Sequence, residues 1–259
     1  MTVALPITEQ AKTATIIFDP NNPAASGYTK VFEDQFSGYS LDTTKWSTGW
    51  AWSQGAGTNS TYPNDEALPS NIFLKNGVAH FAVTKGPTPS GLRYGSAVAT
   101  TYGKFAQAYG YWEAGIQMPT NAHGIWPAFW LVPTDFSWPP EIDIMEWLGK
   151  EPTVDYMTLH YRENGIHKQV GANFNDKSVS TGYHKLGMLW TPTSVTWYID
   201  GIQRSTTNIG IPTKKMYIIL NNDTGGWDGN IVDSTTVFPS ILGVSYVRVF
   251  KAPSYNVAN

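Results

Sequence analysis

Three carboxylates, Glu141, Asp143 and Glu146, fall within six residues of the segment PPEIDIMEWL (139–148). Their neighbours Ile142, Ile144, Met145, Trp147 and Leu148 are the residues of a buried β-strand. An acid in such a strand is costly unless paired, and adjacent acids raise one another's pKa. Retaining glycoside hydrolysis needs such a cluster. It uses two carboxyl groups about 5–5.5 Å apart, one attacking the sugar and one acting first as acid and then as base. Two other uses compete. A solvent-facing strand carries acids freely, but aromatic residues crowd this segment on both sides. A calcium loop usually places Gly and Asn between its acids rather than Ile and Met.

The spacing raises a geometric problem. Side chains alternate along a strand, so the face holding Glu141 and Asp143 continues to Met145, not Glu146. Residues four apart on a flat strand already lie about 13 Å apart, at roughly 3.3 Å per residue. Glu141 and Glu146 are five apart, too distant and on opposite faces. A β-bulge at Met145 solves both problems, because one extra residue restores the facing and bends the strand. Asp143, shorter and between the two, could then tune the first carboxylate so that one acid ionises while another keeps its proton. Spacing does not say which glutamate attacks.

The elements that must hold this strand are short β-runs punctuated by Gly, Pro and Asn. Asn76-Gly77 in NIFLKNGVAHFAV and Asp200-Gly201 in SVTWYIDGIQR are hairpin turns, since both residue types tolerate positive φ. AYGYWEAGIQMP alternates, with Trp112, Ala114, Ile116 and Met118 on one face; SYVRVF sets Tyr246 and Arg248 against Val247 and Val249. Only ITEQAKTATII near the start suggests helix, at most one short turn. The pattern predicts one all-β antiparallel sandwich or barrel over residues 29–251, with an arm at 1–28 and a tail at 252–259. A length of 259 residues is ample for its core.

Composition narrows the partners. A net charge of −3 without basic runs argues against nucleic acid. No apolar stretch reaches the roughly 18 residues of a membrane span. Cysteine is absent, so no disulfide or thiolate metal site is expected. The start, MTVALPITEQAK, lacks the charged and apolar regions of a signal peptide. The 11 Trp, 14 Tyr and 11 Phe suit both a core and a platform for sugar rings.

EIDIME, read as Glu-x-Asp-x-x-Glu, resembles the active-site motif of glycoside hydrolase family sixteen in its bulged form. YTKVFEDQFSGYSLDTTKW, YGYWEAGIQMP, HGIWPAFWLVP, YHKLGMLWTPTSVTWYIDG, LNNDTGGW and SYVRVF resemble its other segments, in order, over residues 29–251. The longer motif is similar to the laminarinase, agarase, porphyranase and carrageenase branch rather than to lichenases. The resemblance implies a β-jelly-roll sandwich with a concave, open cleft. It implies Glu141 as nucleophile, Glu146 as acid/base and Asp143 as their helper. The implied activity is an endo-acting β-glycanase, foremost on β-1,3-glucan, with galactans or a bacterial exopolysaccharide as alternative substrates. Hydrolysis and transglycosylation share this machinery. A non-catalytic carbohydrate-binding jelly roll would not need the acid pair. The polysaccharide is the expected partner, the chain a monomer, and the location extracellular or periplasmic.

Even spacing puts Trp126 and Trp130 on one strand face, where the family has a sugar-contacting Trp and a neighbouring core aromatic. Trp50, Trp52, Trp138 and Trp227 stand in Gly-, Ser- or Pro-rich loops that suit a cleft rim, whereas Trp147 should face the core. The resemblance places a His or polar residue at His160, near the acid/base. His184 reads as a cap or packing residue, and His80, His123 and His167 have no role beyond position. Asn222 and Gln117 are candidate donors to sugar hydroxyls. Gly115 replaces an Arg common in the family, a change expected at the cleft floor. No cofactor is implied; the structural calcium of many members is weakly implied, because Ser245 replaces the expected acid and leaves Glu33.

Overall fold

The computed structural model describes residues 18–53 and 65–253; ITEQAKTATII and the end of the tail lie outside them. Its strands are β1 (Thr29–Asp34), β2 (Ser47–Thr48), β3 (Asp65–Ala67), β4 (Ile72–Lys75), β5 (Val78–Lys85) and β6 (Tyr94–Thr100). Next come β7 (Gly110–Gln117), β8 (Ile125–Pro133), β9 (Glu141–Glu146), β10 (Val154–Glu163) and β11 (Ile166–Asn175). The last five are β12 (His184–Trp190), β13 (Val195–Ile199), β14 (Ile202–Thr207), β15 (Met216–Thr224) and β16 (Ser240–Lys251).

Hydrogen bonding runs β11-β10-β9-β8-β15-β6-β5-β16-β7-β12-β13-β14, antiparallel along this path, and β11 meets β14 where the two ends approach. Two sheets are thereby folded face to face and joined through the short β5–β6 pairing. One, with β6, β8, β9, β10, β11 and β15, carries the three acids; the other, built around β5, β7, β12, β13 and β16, backs it. Both Xaa-Gly turns form as read: Asn76-Gly77 has φ 55° and 74°, and Asp200-Gly201 has φ 54° and 76°.

The core lies between the sheets. Trp112, Ala114, Ile116 and Met118 enter it from the backing sheet, with Val247 and Val249. Ile125, Phe129 and Leu131 of β8 meet them from the other side. Trp147 is buried there too, its indole N–H donating to Pro152 O. Such burial is worth about 1.5–3 kcal/mol per large apolar side chain, which fixes strand register because a one-residue slip would expose the whole set.

Residues 18–28, expected as the end of an arm, lie packed on the outside of the backing sheet. Phe18 contacts Tyr28 and Tyr111 with ring centroids 4.9 Å apart, and Lys185 Nζ donates to Pro20 O and Asn21 Oδ1. Gly115 also lies on that outer face, where an added Cβ would fall 2.4 Å from Ser245 Oγ. Its expected place at the cleft floor is therefore corrected: β7 belongs to the backing sheet, and the neighbours of Gly115 leave no room for a side chain. Glu33 accepts from Lys30 (2.5 Å), Arg248 (2.8 Å) and Gln35 (3.1 Å), while Ser245 donates to Gly115 O. One carboxylate already held by two cations does not fit calcium, which takes about 6–8 oxygen ligands.

Candidate active site

The motif strand β9 breaks phase between its second and third acids. Asp143 pairs with Trp130 on one side and Thr158 on the other, whereas Glu146 pairs with Ala128 and Tyr156. Two residues on β9, Ile144 and Met145, thus oppose one on β10, Met157. Both point into the core. This is the bulge that the odd spacing requires, and it returns Glu146 to the outer face with Glu141 and Asp143. A bulge leaves backbone groups without ladder partners. Here Trp197 Nε1 reaches from the opposite sheet to donate to Asp143 O at 2.9 Å.

Each glutamate lies under an indole. Trp138 Nε1 donates to Glu141 Oε2 and Trp126 Nε1 to Glu146 Oε1, both at 3.1 Å. His160 on β10 turns Nε2 toward Glu141 Oε1 (3.5 Å) and Asp143 Oδ2 (3.2 Å). The expected position of His160 was near the acid/base; its ring contacts the other two acids.

Burial dominates the electrostatics. It raises the pKa of all three acids, well above the usual range for Glu141 and Asp143. The Asp143 and Glu146 charges push Glu141 further up, against His160 and the Trp138 indole, which pull it down. The Trp126 indole, His160 and the Trp227 indole oppose the rise at Glu146. The cluster therefore resists full ionisation and retains protons at pH values where isolated carboxyls have lost them. One ionised carboxyl beside a protonated one is the condition for acid/base work with a nucleophile.

Glycosyl hydrolases family 16 matches residues 50–237 of the chain. The chain belongs to that family. It is 37% identical over 164 residues to the endo-1,3-1,4-beta-glycanase EglC of Rhizobium meliloti (strain 1021), covering 62% of this chain and 34% of that protein. To ExsH, an endo-1,3-1,4-beta-glycanase of the same organism, it is 32% identical over 249 residues, 86% of this chain and 52% of that one. The chain thus spans between a third and about half of these relatives. The catalytic domain of an endo-1,3-beta-glucanase (laminarinase) from Thermotoga petrophila RKU-1 superposes with a TM-score of 0.74 at 26% identity. That likeness covers 88% of this chain and 99% of the other.

In this family-16 chain the anticipated aromatics divide. Trp126 and Trp130 share the outer face of β8, both half-buried. Trp130 Nε1 donates to Asn221 Oδ1 at 2.7 Å. Trp52 is 37% exposed and Trp138 49%, so both offer ring surface to the cleft. Trp227 is half-buried and meets Tyr156 edge to face at 4.7 Å. Trp50 is a correction. At 1% exposure, stacked beneath Trp52 at 4.9 Å and packed with Val98, Tyr217 and Ile219, it has no free face and supports Trp52 from below.

Among the polar candidates, Asn222 is fully buried and ties Phe81 O to Ser240 O, so it does not meet substrate. Its neighbour Asn221, on the outer face, orients Trp130 instead and is in turn held to Asp223 Oδ2 at 3.1 Å. Gln117 lies on β7 in the backing sheet. His184 locks the β13–β14 turn through Asp200 Oδ2 at 2.7 Å.

His167, given no role from sequence, lies against the site: its Nε2 is 3.0 Å from His160 Nδ1. The signal was Asn164-Gly165 between two alternating runs. That turn (φ 52° and 80°) forms a two-residue hairpin pairing Arg162 with His167, which makes His160 and His167 diagonal neighbours on one face.

Proposed function

We propose that this chain is an endo-acting, retaining glycoside hydrolase that cleaves a β-1,3-linked glucan. One observation carries the reading: the Ile144–Met145 bulge brings Glu141 and Glu146 to one face, each under an indole N–H, with His160 against Glu141. Glu141 attacks the anomeric carbon as Glu146 gives its proton to the departing glycosidic oxygen. Water then attacks the same carbon, Glu146 takes its proton, and Glu141 is released as carboxylate.

Electrostatic coupling serves the change of role. Forming the glycosyl ester removes the Glu141 charge, so Glu146 loses a repelling neighbour while it is giving up its proton; hydrolysis restores both. Asp143, 2% exposed between the two, helps keep the pair from ionising together. The aromatic surface of Trp52, Trp126, Trp130, Trp138 and Trp227 suits the apolar faces of neutral sugar rings. The endo-1,3-1,4-beta-glycanase and endo-1,3-beta-glucanase names of the relatives support a β-glycan with 1,3 linkages, foremost a glucan. Arg162 on the β10–β11 hairpin is spent on the carbonyls of Gly165 and Trp138, which favours neutral over sulfated chains. Action on a polymer fits an extracellular or periplasmic monomer.

A panel of laminarin, mixed-linkage glucan, agar, carrageenan and exopolysaccharide, profiled for products, tests the assignment, with Glu141→Gln and Glu146→Gln beside wild type. Internal cleavage of laminarin with a β first-formed anomer is expected. Identical product traces from wild type and both variants would sink the catalytic reading, and an inverted first anomer would sink the close carboxylate pair.

A further inference from the structure

His160 Nδ1 and His167 Nε2 approach to 3.0 Å with their rings 27° from parallel and 5.2 Å apart. At that distance one proton must lie between the two nitrogens. Two would clash head on, and none would set lone pair against lone pair. Neutral imidazole carries one N–H, so the direction of this bond decides which nitrogen of His160 faces the acids. If His160 donated, its bare Nε2 would confront Glu141 Oε1 at 3.5 Å and Asp143 Oδ2 at 3.2 Å. If His167 donates, His160 keeps its N–H on Nε2 and offers it to those oxygens. The second arrangement turns a donor, rather than a second lone pair, toward both acceptor oxygens.

We propose that His167 is a positioning residue of the active site: by donating Nε2–H to His160 Nδ1, it holds His160 in the tautomer whose Nε2–H faces Glu141 and Asp143. Trp138 clamps the arrangement. Its ring lies 4.7 Å from His167 and 6.0 Å from His160, while its own N–H serves Glu141. One indole thus spans the nucleophile and the second histidine.

The groups bearing on the pair are few. Strand β9 contributes Glu141, Asp143 and Glu146. Strand β10 contributes Arg162, held by the carbonyls of Gly165 and Trp138. Strand β11 adds only His167 itself, and the loop before β9 adds the uncharged Trp138. Burial, His160 and Arg162 all lower the pKa of His167, which keeps it neutral at working pH and able to donate without adding charge. A proton on His160 would reverse the bond, His160 donating to His167, so the contact tolerates one positive charge but not two.

The proposal rests on the reading of Glu141 as nucleophile, and the test separates the two. Nitrogen-15 NMR of histidine-labelled protein at neutral pH reads the tautomer directly. Wild type should show His160 protonated on Nε2 and bare on Nδ1, and His167→Phe should lose that preference while circular dichroism and melting temperature report an intact fold. A His160 protonated on Nδ1 in wild type overturns the proposal whatever the activity. In kinetics on laminarin, His167→Phe should move the acid limb of kcat/KM upward by about half to one pH unit, a three- to tenfold loss on the acid side. His167→Gln, which can still donate through its amide, should restore much of it. An unmoved acid limb in both variants of an active enzyme refutes the positioning role and leaves the proposed function standing. A wild type that cleaves no glucan refutes that function, and the NMR still decides the pair.

Discussion

Trp126→Phe tests the acid/base assignment most sharply, because it keeps an aromatic ring and deletes the N–H that meets Glu146. In the native site Trp126 Nε1 donates to Glu146 Oε1 at 3.1 Å, an ordinary length, and favours the ionised carboxyl. A hydrogen bond to a charged group is worth about 1.5–3 kcal/mol and one to a neutral group about 1 kcal/mol. The protonated carboxyl keeps the weaker bond, so only the difference counts. With Trp227 and His160 still beside Glu146, we take about 0.7–1.4 kcal/mol, or half to one pKa unit at about 1.36 kcal/mol per unit. Loss of the donor therefore raises the Glu146 pKa. A general acid must hold its proton, so the basic limb of kcat/KM should move to higher pH by that amount. The assay is kcat/KM on reduced laminarin from pH 4 to 10, with melting temperatures to confirm folding. Trp138→Phe is the mirror experiment: it removes the donor to Glu141 Oε2, and the acid limb should rise instead. If Trp126→Phe moved the acid limb and Trp138→Phe the basic one, the two glutamates would have exchanged roles. If neither limb moved, the indoles would not tune the pair, and the electrostatic account would be wrong.

Other consequences follow from burial and backbone geometry. Asp155, 1% exposed with neither oxygen hydrogen-bonded, has a pKa well above normal through burial and the Glu146 charge. A raised folded-state pKa means that the native state binds more protons than the unfolded one above about pH 3.9, so stability falls as pH climbs from there toward the folded value. Asp155→Asn should therefore gain in melting temperature over wild type at pH 8 by more than at pH 4; a pH-independent offset would contradict this. Trp52→Ala removes an exposed ring stacked on Trp50 and should raise KM for laminarin oligosaccharides roughly five- to tenfold, about one stacking contact, while kcat stays within about twofold; a fall in kcat alone would place Trp52 elsewhere in function. Gly201→Ala forces φ +76° on an L-residue and puts a Cβ 2.2 Å from Asn21 Oδ1, so urea unfolding should show a loss of about 1–3 kcal/mol. No loss would mean that residues 18–21 do not dock as described.

Much of this was legible before any coordinates. Alternation gave the faces of β7 and β16, because a half-buried strand cannot hide its period. Asn76-Gly77 and Asp200-Gly201 marked hairpins, because few residues take positive φ cheaply. The bulge was readable as a conflict between the two-residue period and a five-residue spacing of glutamates. Other placements failed for one reason: they depended on which sheet a strand joins. Gly115 and Gln117 alternate perfectly well, yet β7 lies in the backing sheet. Asn221 and Asn222 are adjacent and chemically identical; strand phase sends one to the cleft and the other into the core. Trp50 and Trp52 share a loop, and only their stacking decides which is covered.

The sequence by itself determined the chemistry on offer: three acids in an apolar strand, one out of step, on a chain rich in aromatics and poor in charge. These are local properties, fixed by side-chain type and backbone period. Only the tertiary structure decided what each acid meets. Trp126, Trp138, His160, His167 and Trp197 converge on β9 from other strands and loops, and burial between them raises the three carboxyls together. Desolvation and coupling depend on distances across strands, which no one-dimensional spacing encodes. The bulge belongs to both levels, demanded by sequence and made tolerable by a tryptophan from the opposite sheet.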